Sequence, residues 1–223
     1  MTFSIRDRVL RVIAALALIG GLYAVSTQAQ PAGEEGEAPP EEAASMGIIA
    51  PILLYGTENN TSWIGETDGN GYRLINPDDP QAIKYFYVNP EPGQEGKRTV
   101  AVSTVVLQGD GSIGLLYGFQ EDPKSYYLLL LDGNRTVTAY HRPPEGGLVK
   151  QFHAELSSNN SNGGPMMVTL KIVEEGDTAT IWFDDRRVTT LEGPGVGQGG
   201  VGIGALGRVD GLFLDFKLEA AGG

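Results

Sequence analysis

From residue 48 onward, apolar positions recur every second residue in short runs that glycine, proline and Asx turns interrupt about every ten residues. A period of two belongs to the β-strand, whose side chains point alternately to opposite faces. The pattern predicts twelve strands, at 71–76, 82–88, 99–107, 112–119, 125–132, 136–142, 148–156, 166–174, 178–183, 186–191, 201–206 and 211–218. The run 99–107 is rich in β-branched residues and suits a central strand. The run 125–132 is apolar on both faces, which places it in mid-sheet. In 112–119, Ile113, Leu115, Tyr117 and Phe119 fall on one face. In 136–142, Thr136, Thr138, Tyr140 and Arg142 share a face, and Val137, Ala139 and His141 the other. Asp184-Asp185 is a two-residue hairpin turn, and Asp132-Gly133-Asn134 a second turn. No helical period separates these runs, so the strands must pair mostly antiparallel. The expected fold class is all-β: an antiparallel two-sheet β-sandwich preceded by one N-terminal hydrophobic helix.

That helix is read from residues 1–29. Arg6, Arg8 and Arg11 precede the apolar run 12–25, and small residues spaced Thr27-x-Ala29 follow it. This is the layout of a secretory signal peptide, with cleavage after Ala29. With Val9 and Leu10 the span reaches 17 residues, the lower limit for crossing a bilayer, so an uncleaved anchor carried by Val12, Leu16, Leu18, Ile19 and Leu22 stays open beside it. In both readings the positive flank stays inside and the rest is delivered outside, to the periplasm, either free or held at the cytoplasmic membrane. Residues 30–45 carry five glutamates and three prolines without a large apolar side chain, which describes an extended acidic tether. Residues 46–219 form the sandwich domain and 220–223 a tail.

Composition narrows the partners. The net charge of the 223-residue chain is −12, and removing the leader's contribution of +2 leaves −14 for the remainder. Such a surface repels phosphate backbones and anionic headgroups, so nucleic acid is not an expected partner and membrane contact is expected through the N-terminal helix only. Cysteine is absent, which removes disulfides, thiolate metal sites, thiol nucleophiles and a lipid-attachment cysteine together. The 32 glycines and 13 prolines fit a protein of many turns.

No catalytic constellation emerges from the residues. His141 and His153 lack a second histidine at ligand spacing, and no serine stands in a nucleophile elbow. His141, on the side of Val137 and Ala139, reads as a core imidazole. Gly202-x-Gly204-x-x-Gly207 spells the dinucleotide fingerprint, yet it precedes a strand instead of opening a helix, so it reads as a tightly packed strand. Glu174, Glu175 and Asp177 lie at a hairpin turn and read as solvated. The aromatic residues Trp63, Tyr72, Tyr85, Tyr87, Tyr127, Tyr140 and Trp182 exceed what a small core needs. Trp63, Tyr127 and Tyr140, with Thr138 and Arg142, are the candidate ligand- or partner-binding residues.

The runs GSIGLLYGF (111–119), SYYLLLL (125–131), TVTAYHR (136–142), the hairpin 166–188, GGVGIGALG (199–207) and GLFLDFKLE (211–219) together resemble the concanavalin A-like jelly-roll superfamily, in particular laminin-G-like and 3-keto-disaccharide-hydrolase-like exported domains. Asp184-Asp185 stands where that pattern has Asn-Gly. The resemblance implies the jelly-roll fold over about residues 60–219, and it implies a structural role for Asp215 in the terminal strand. The ExDxxE strand of glycosidases with this fold is absent. No cofactor is expected, apart from a loop calcium ion of the kind that relatives bind. Asp68-Gly69-Asn70-Gly71 and Asn76-Pro77-Asp78-Asp79 offer hard oxygens for it, although neither is a full calcium loop and turn chemistry explains both.

Two functions follow as expectations, and neither favours an enzyme. The first is a non-catalytic structural or interaction subunit at the periplasmic face of the cytoplasmic membrane, accessory to a larger membrane complex and bound to its protein subunits. The second is a periplasmic carbohydrate-binding or 3-keto-glycoside-processing domain whose partner is a glycan.

Overall fold

A computed structural model describes residues 63–68, 71–91, 93, 95–156, 165–193 and 195–220. The predicted helix and tether, with the anchor residues Val12, Leu16, Leu18, Ile19 and Leu22, lie outside the described residues. Among the described residues the chain forms thirteen strands: β1 (Ile64–Asp68), β2 (Gly71–Asn76), β3 (Ile83–Val88), β4 (Arg98–Gly109), β5 (Ser112–Gln120), β6 (Ser125–Asp132), β7 (Thr136–Arg142), β8 (Val149–Glu155), β9 (Met167–Glu175), β10 (Thr178–Phe183), β11 (Arg186–Glu192), β12 (Gly200–Leu206) and β13 (Val209–Ala220). They pair antiparallel in two sheets, of order β1-β2-β13-β4-β9-β10-β11 and β3-β12-β5-β6-β7-β8. The fold is therefore the expected all-β, two-sheet sandwich.

Alternation builds the core. In β9, Val168, Leu170 and Ile172 are fully buried, while Met167, Thr169 and Lys171 between them turn outward. The same rule sends Ala179, Ile181 and Phe183 of β10 and Val201, Ile203 and Ala205 of β12 between the sheets, against Leu115, Tyr117 and Leu129. Full burial of one such branched side chain contributes about 1.5–3 kcal/mol, so the sandwich needs no disulfide.

The two expectations of centrality hold, since β4 lies between β13 and β9, and β6 between β5 and β7. Strand β1 is the thirteenth. Its sequence, IGETD, has only Gly65 buried, so an edge strand held by backbone pairing with β2 carries no apolar signature. The turn at Asp184-Asp185 forms as expected. Asp184 takes a left-handed φ of 50°, which a short Asx side chain tolerates, and its Oδ1 accepts the Thr169 N–H at 2.9 Å. The glycine fingerprint at 202–207 lies on β12 and its following turn, and a Cβ on Gly202 would stand 1.9 Å from the Phe86 carbonyl oxygen.

Phe119 departs from the expected face. The β5–β6 register shifts between Tyr117 and Gln120, where Gly118 adopts φ 65°. This bulge removes Phe119 from the side of Ile113, Leu115 and Tyr117 and places it in a separate cluster with Leu116, Tyr126, Leu128 and Leu130.

Glu174 also departs from expectation. It is buried, not solvated, and both its side chain and that of Arg98 have no exposed surface. Glu174 Oε2 accepts the Arg98 backbone N–H at 3.1 Å and Nε–H at 2.8 Å, and Oε1 accepts Nη2–H at 2.5 Å. Arg98 Nη1 donates to the Gly199 carbonyl at 2.9 Å, and Tyr117 Oη accepts the Gly197 N–H at 2.8 Å. Burial, and next the charge of Glu174, raise the Tyr117 phenol far above its ordinary range. The group ties the start of β4 and the end of β9 to the glycine-rich loop before β12.

Candidate functional site

Strands β5 to β7 bury apolar side chains on both faces. Tyr127, Leu129, Leu131, Val137 and Ala139 enter the sandwich. Their neighbours Tyr126, Leu128 and Leu130 point to the outer face of the six-stranded sheet and form the second apolar cluster, with Ile83, Tyr85, Tyr87, Tyr140, Leu148 and Leu206 packed around it. An outer sheet face normally faces water and carries polar side chains. Here it carries an aromatic row instead.

Tyr87 stacks on Phe119 with ring centroids 4.1 Å apart. Tyr85 follows at 5.3 Å from Phe119 and 5.4 Å from Tyr126. Two cations border the row: Lys124 Nζ lies 5.2 Å from the Tyr85 centroid and the Arg142 guanidinium 5.8 Å from that of Tyr126. Arg142 Nη1 also donates to the Lys124 carbonyl. Burial raises the Tyr126 phenol, Tyr85 adds to the rise, and Arg142 opposes it.

Beside this row opens a cavity of about 240 Å³, lined by Ser112, Leu130, Asp132, Thr136, Thr138 and Tyr140 along the strands, with Asp110 and Leu206 among the residues of its rim. Asp132 Oδ1 accepts the N–H groups of Asn134 at 2.9 Å and Thr136 at 2.8 Å, which closes the β6–β7 turn and fixes the carboxylate at the cavity wall. Thr138 Oγ1 lies 3.3 Å from His153 Nδ1. At the rim, both Asp110 oxygens are engaged by Arg208, which holds that carboxyl below its usual range. The floor is apolar and the walls present hydroxyls and a carboxylate. A cavity of about 250 Å³ lies across the same turn, between Val106, Leu131, Asn134 and Met166, and Asp132 borders it as well.

The five expected binding residues divide between two environments. Thr138, Tyr140 and Arg142 share the outer face, with Thr138 and Tyr140 in the cavity and Arg142 at the aromatic row. Tyr127 is in the sandwich core, 5% exposed, and stacks on His141 at 4.4 Å with planes 15° apart. Trp63, 3% exposed, is also a core residue. The sequence reading left out Phe119 and Tyr126. Tyr126 was legible, because it alternates with Tyr127 and must face away from the core. Phe119 was hidden by the bulge.

His141 lies on the core side as expected, half-buried, and burial lowers its pKa while Glu145 partly opposes the shift. Asp215 is exposed, with φ 47°, at a bulge in β13 beyond the last pair with β2. The oxygens at 76–79 serve the turn. Asn76 Oδ1 accepts the Asp78 and Asp79 N–H groups, its Nδ2 donates to the Asp79 and Gly207 carbonyls, and Asp79 Oδ1 accepts the Gln81 N–H. The segment 68–71 lies partly outside the described residues. Among the described residues no three acidic or imidazole groups stand close enough to share a metal ion.

The fold is similar to that of solved galectin-like sandwiches. A protein of unknown function with galectin-like fold from Bacillus subtilis superposes with a TM-score of 0.51 at 12% identity, over 71% of this chain and 86% of its own. The GH43 BlXynB protein from Bacillus licheniformis superposes with a TM-score of 0.52 at 14% identity, over 73% of this chain and 35% of its own. The carbohydrate-binding module CBM66 from Bacillus subtilis gives a TM-score of 0.48 at 16% identity, over 72% of this chain and 92% of its own. No protein-family model matches the chain, and no curated protein sequence does.

Proposed function

We propose that this chain is a non-catalytic carbohydrate-binding domain whose ligand lies on the outer face of the six-stranded sheet. The observation that carries the reading is the cavity in which the Leu130 and Leu206 floor, the Tyr140 ring, the Ser112, Thr136 and Thr138 hydroxyls and the Asp132 carboxylate converge. A sugar ring needs this combination: an apolar or aromatic surface for its C–H face and oriented polar groups for its hydroxyls. At about 240 Å³ the cavity is below the roughly 300–1,000 Å³ of drug-sized clefts, which suits a single ring. The aromatic row Tyr126, Tyr85, Phe119 and Tyr87 then extends the platform for further sugars. The galectin-like likeness supports the reading at the level of fold only.

The binding reading is favoured over hydrolysis because the carboxylates at the cavity have structural partners: Arg208 holds Asp110, and the turn amides hold Asp132. Work outside the cytoplasm is part of the proposal and rests on the leader sequence. An accessory role in a membrane complex depends on residues 1–45 and draws no support from the described residues. Binding to a panel of immobilised glycans, followed by calorimetry on the best ligand, tests the proposal. Tyr140→Ala is expected to weaken binding by about three- to tenfold, the contribution of one aromatic contact of about 0.5–1.5 kcal/mol. Silence across the panel, or unchanged affinity in that variant, refutes it.

A further inference from the structure

The opposite sheet carries a second surface, of different chemistry. Register places Lys217 of β13 beside Ala101 of β4, Ala101 beside Lys171 of β9, Lys171 beside Trp182 of β10, and Trp182 beside Arg187 of β11. These five residues form one row across five adjacent strands. Their chain neighbours Phe216, Leu218, Val100, Val102, Leu170, Ile172, Ile181 and Phe183 all pack in the core, so the row itself faces outward. Strands are about 4.8 Å apart, so the three cations are spaced by roughly 10 Å. Lys171 Nζ lies 5.0 Å from the half-buried indole, and Arg187 Nη2 donates to Thr190 Oγ1 at 3.3 Å. None of the three forms an ion pair among the described residues, in a chain whose net charge is −12.

Hydroxyls flank the row on both sides. Ser103 Oγ and Thr169 Oγ1 are bonded at 3.0 Å on one side, and Thr99, Val173, Thr180 and Thr190 are aligned on the other. The nearest acids are Glu219, beside Thr99, Asp215, in the β13 bulge two residues before Lys217, Asp184, whose Oδ1 is occupied by the Thr169 N–H, and exposed Asp185, two residues before Arg187. The Trp182 Nε1–H is covered and finds no acceptor among the described residues.

We propose that this outer face of the seven-stranded sheet binds an acidic polysaccharide, with Lys217, Lys171 and Arg187 contacting carboxylates on every second ring and Trp182 stacking against a sugar ring between Lys171 and Arg187. Charge complementarity selects the anion, and the indole between Lys171 and Arg187, with the nearby Thr169, Thr180 and Thr190 hydroxyls, selects a glycan over an acidic polypeptide. Asp215, Glu219 and Asp184 lie within a Debye length of the row and oppose approach, whereas the acids farther than about 10 Å are screened at 0.1 M salt.

The test uses the full chain in mild detergent, with polygalacturonate as probe, dextran as neutral control and poly-glutamate as polypeptide control. Polygalacturonate is expected to bind, with affinity that falls as salt rises above 0.1 M, and dextran to leave the row untouched. Lys171→Gln/Arg187→Gln should lower affinity by about tenfold, the scale of two lost charge contacts, and Trp182→Ala should lower it further, with circular dichroism unchanged in each variant. Tyr140→Ala should not change polygalacturonate binding, which separates this surface from the cavity on the other sheet. No binding, or binding indifferent to the double variant, overturns the proposal. Poly-glutamate binding as tightly as polygalacturonate, with Trp182→Ala without effect, overturns the glycan assignment.

Discussion

Glu174→Leu removes one partner of a pair in which neither side chain reaches solvent. The guanidinium of Arg98 then keeps only the Gly199 carbonyl, and the Arg98 backbone N–H is left without an acceptor. An uncompensated buried charge costs about 3–5 kcal/mol, and the orphaned amide adds about 1–3 kcal/mol. Against a total stability of about 5–15 kcal/mol for a domain, the single variant forfeits a third or more. The pair itself is not the source of that stability, because its Coulomb attraction mainly offsets the desolvation of both ions. Arg98→Met/Glu174→Leu should therefore recover the charge penalty of about 3–5 kcal/mol and fall short of the parent by about 1–3 kcal/mol, chiefly for the residue-98 amide that still lacks an acceptor. Urea denaturation followed by tryptophan fluorescence measures this directly. The midpoint should shift with the slope unchanged if only native stability is altered. A loss below about 1 kcal/mol in the single variant, or a double variant as unstable as the sum of its parts, would refute the account of a desolvated, mutually dependent pair.

The stack of His141 on Tyr127 predicts a pH effect. Burial depresses the folded-state pKa of His141 below its unfolded value, so the neutral ring stabilises the fold above that value, and the contribution is lost as pH falls through the folded pKa. Stability of the parent should decline on acidification from about pH 6.5 more steeply than that of His141→Gln, and coincident pH profiles would contradict this. Gly118→Ala should destabilise by about 1–3 kcal/mol, because φ is 65° and the added Cβ would stand 2.8 Å from the Gly195 carbonyl oxygen. A melting temperature within a degree of the parent would show that the bulge relaxes at no cost.

The fold was legible because strand alternation is local. Every predicted run became a strand, and the doubly apolar run 125–132 announced a strand buried on both faces. What escaped is not local. Arg98 and Glu174 lie 76 residues apart, and a carboxylate one residue from a hairpin turn looks solvated until its partner is placed beside it. One residue at Gly118 reversed the face of Phe119, which no count by twos could anticipate. The outer face was half legible: Thr136, Thr138, Tyr140 and Arg142 were grouped on it from alternation alone. Trp63 and Tyr127 were added to the binding residues as surplus aromatics, and both are core residues. Ser112, Asp132 and Leu206 join the cavity only through pairing across β12, β5, β6 and β7, which the linear pattern does not contain.

The strand order has a consequence for how the molecule comes into being. β12 joins β3 to β5, and β13 joins β2 to β4, so each sheet is two unconnected fragments until the last two strands arrive. A ribosome that has released residues 1–199 has made a chain that cannot close either layer, with β4 and β5 each lacking a neighbour along one side. Closure of both sheets must therefore wait until β12 and β13 have emerged, a delay that leaves open strand margins to be shielded meanwhile.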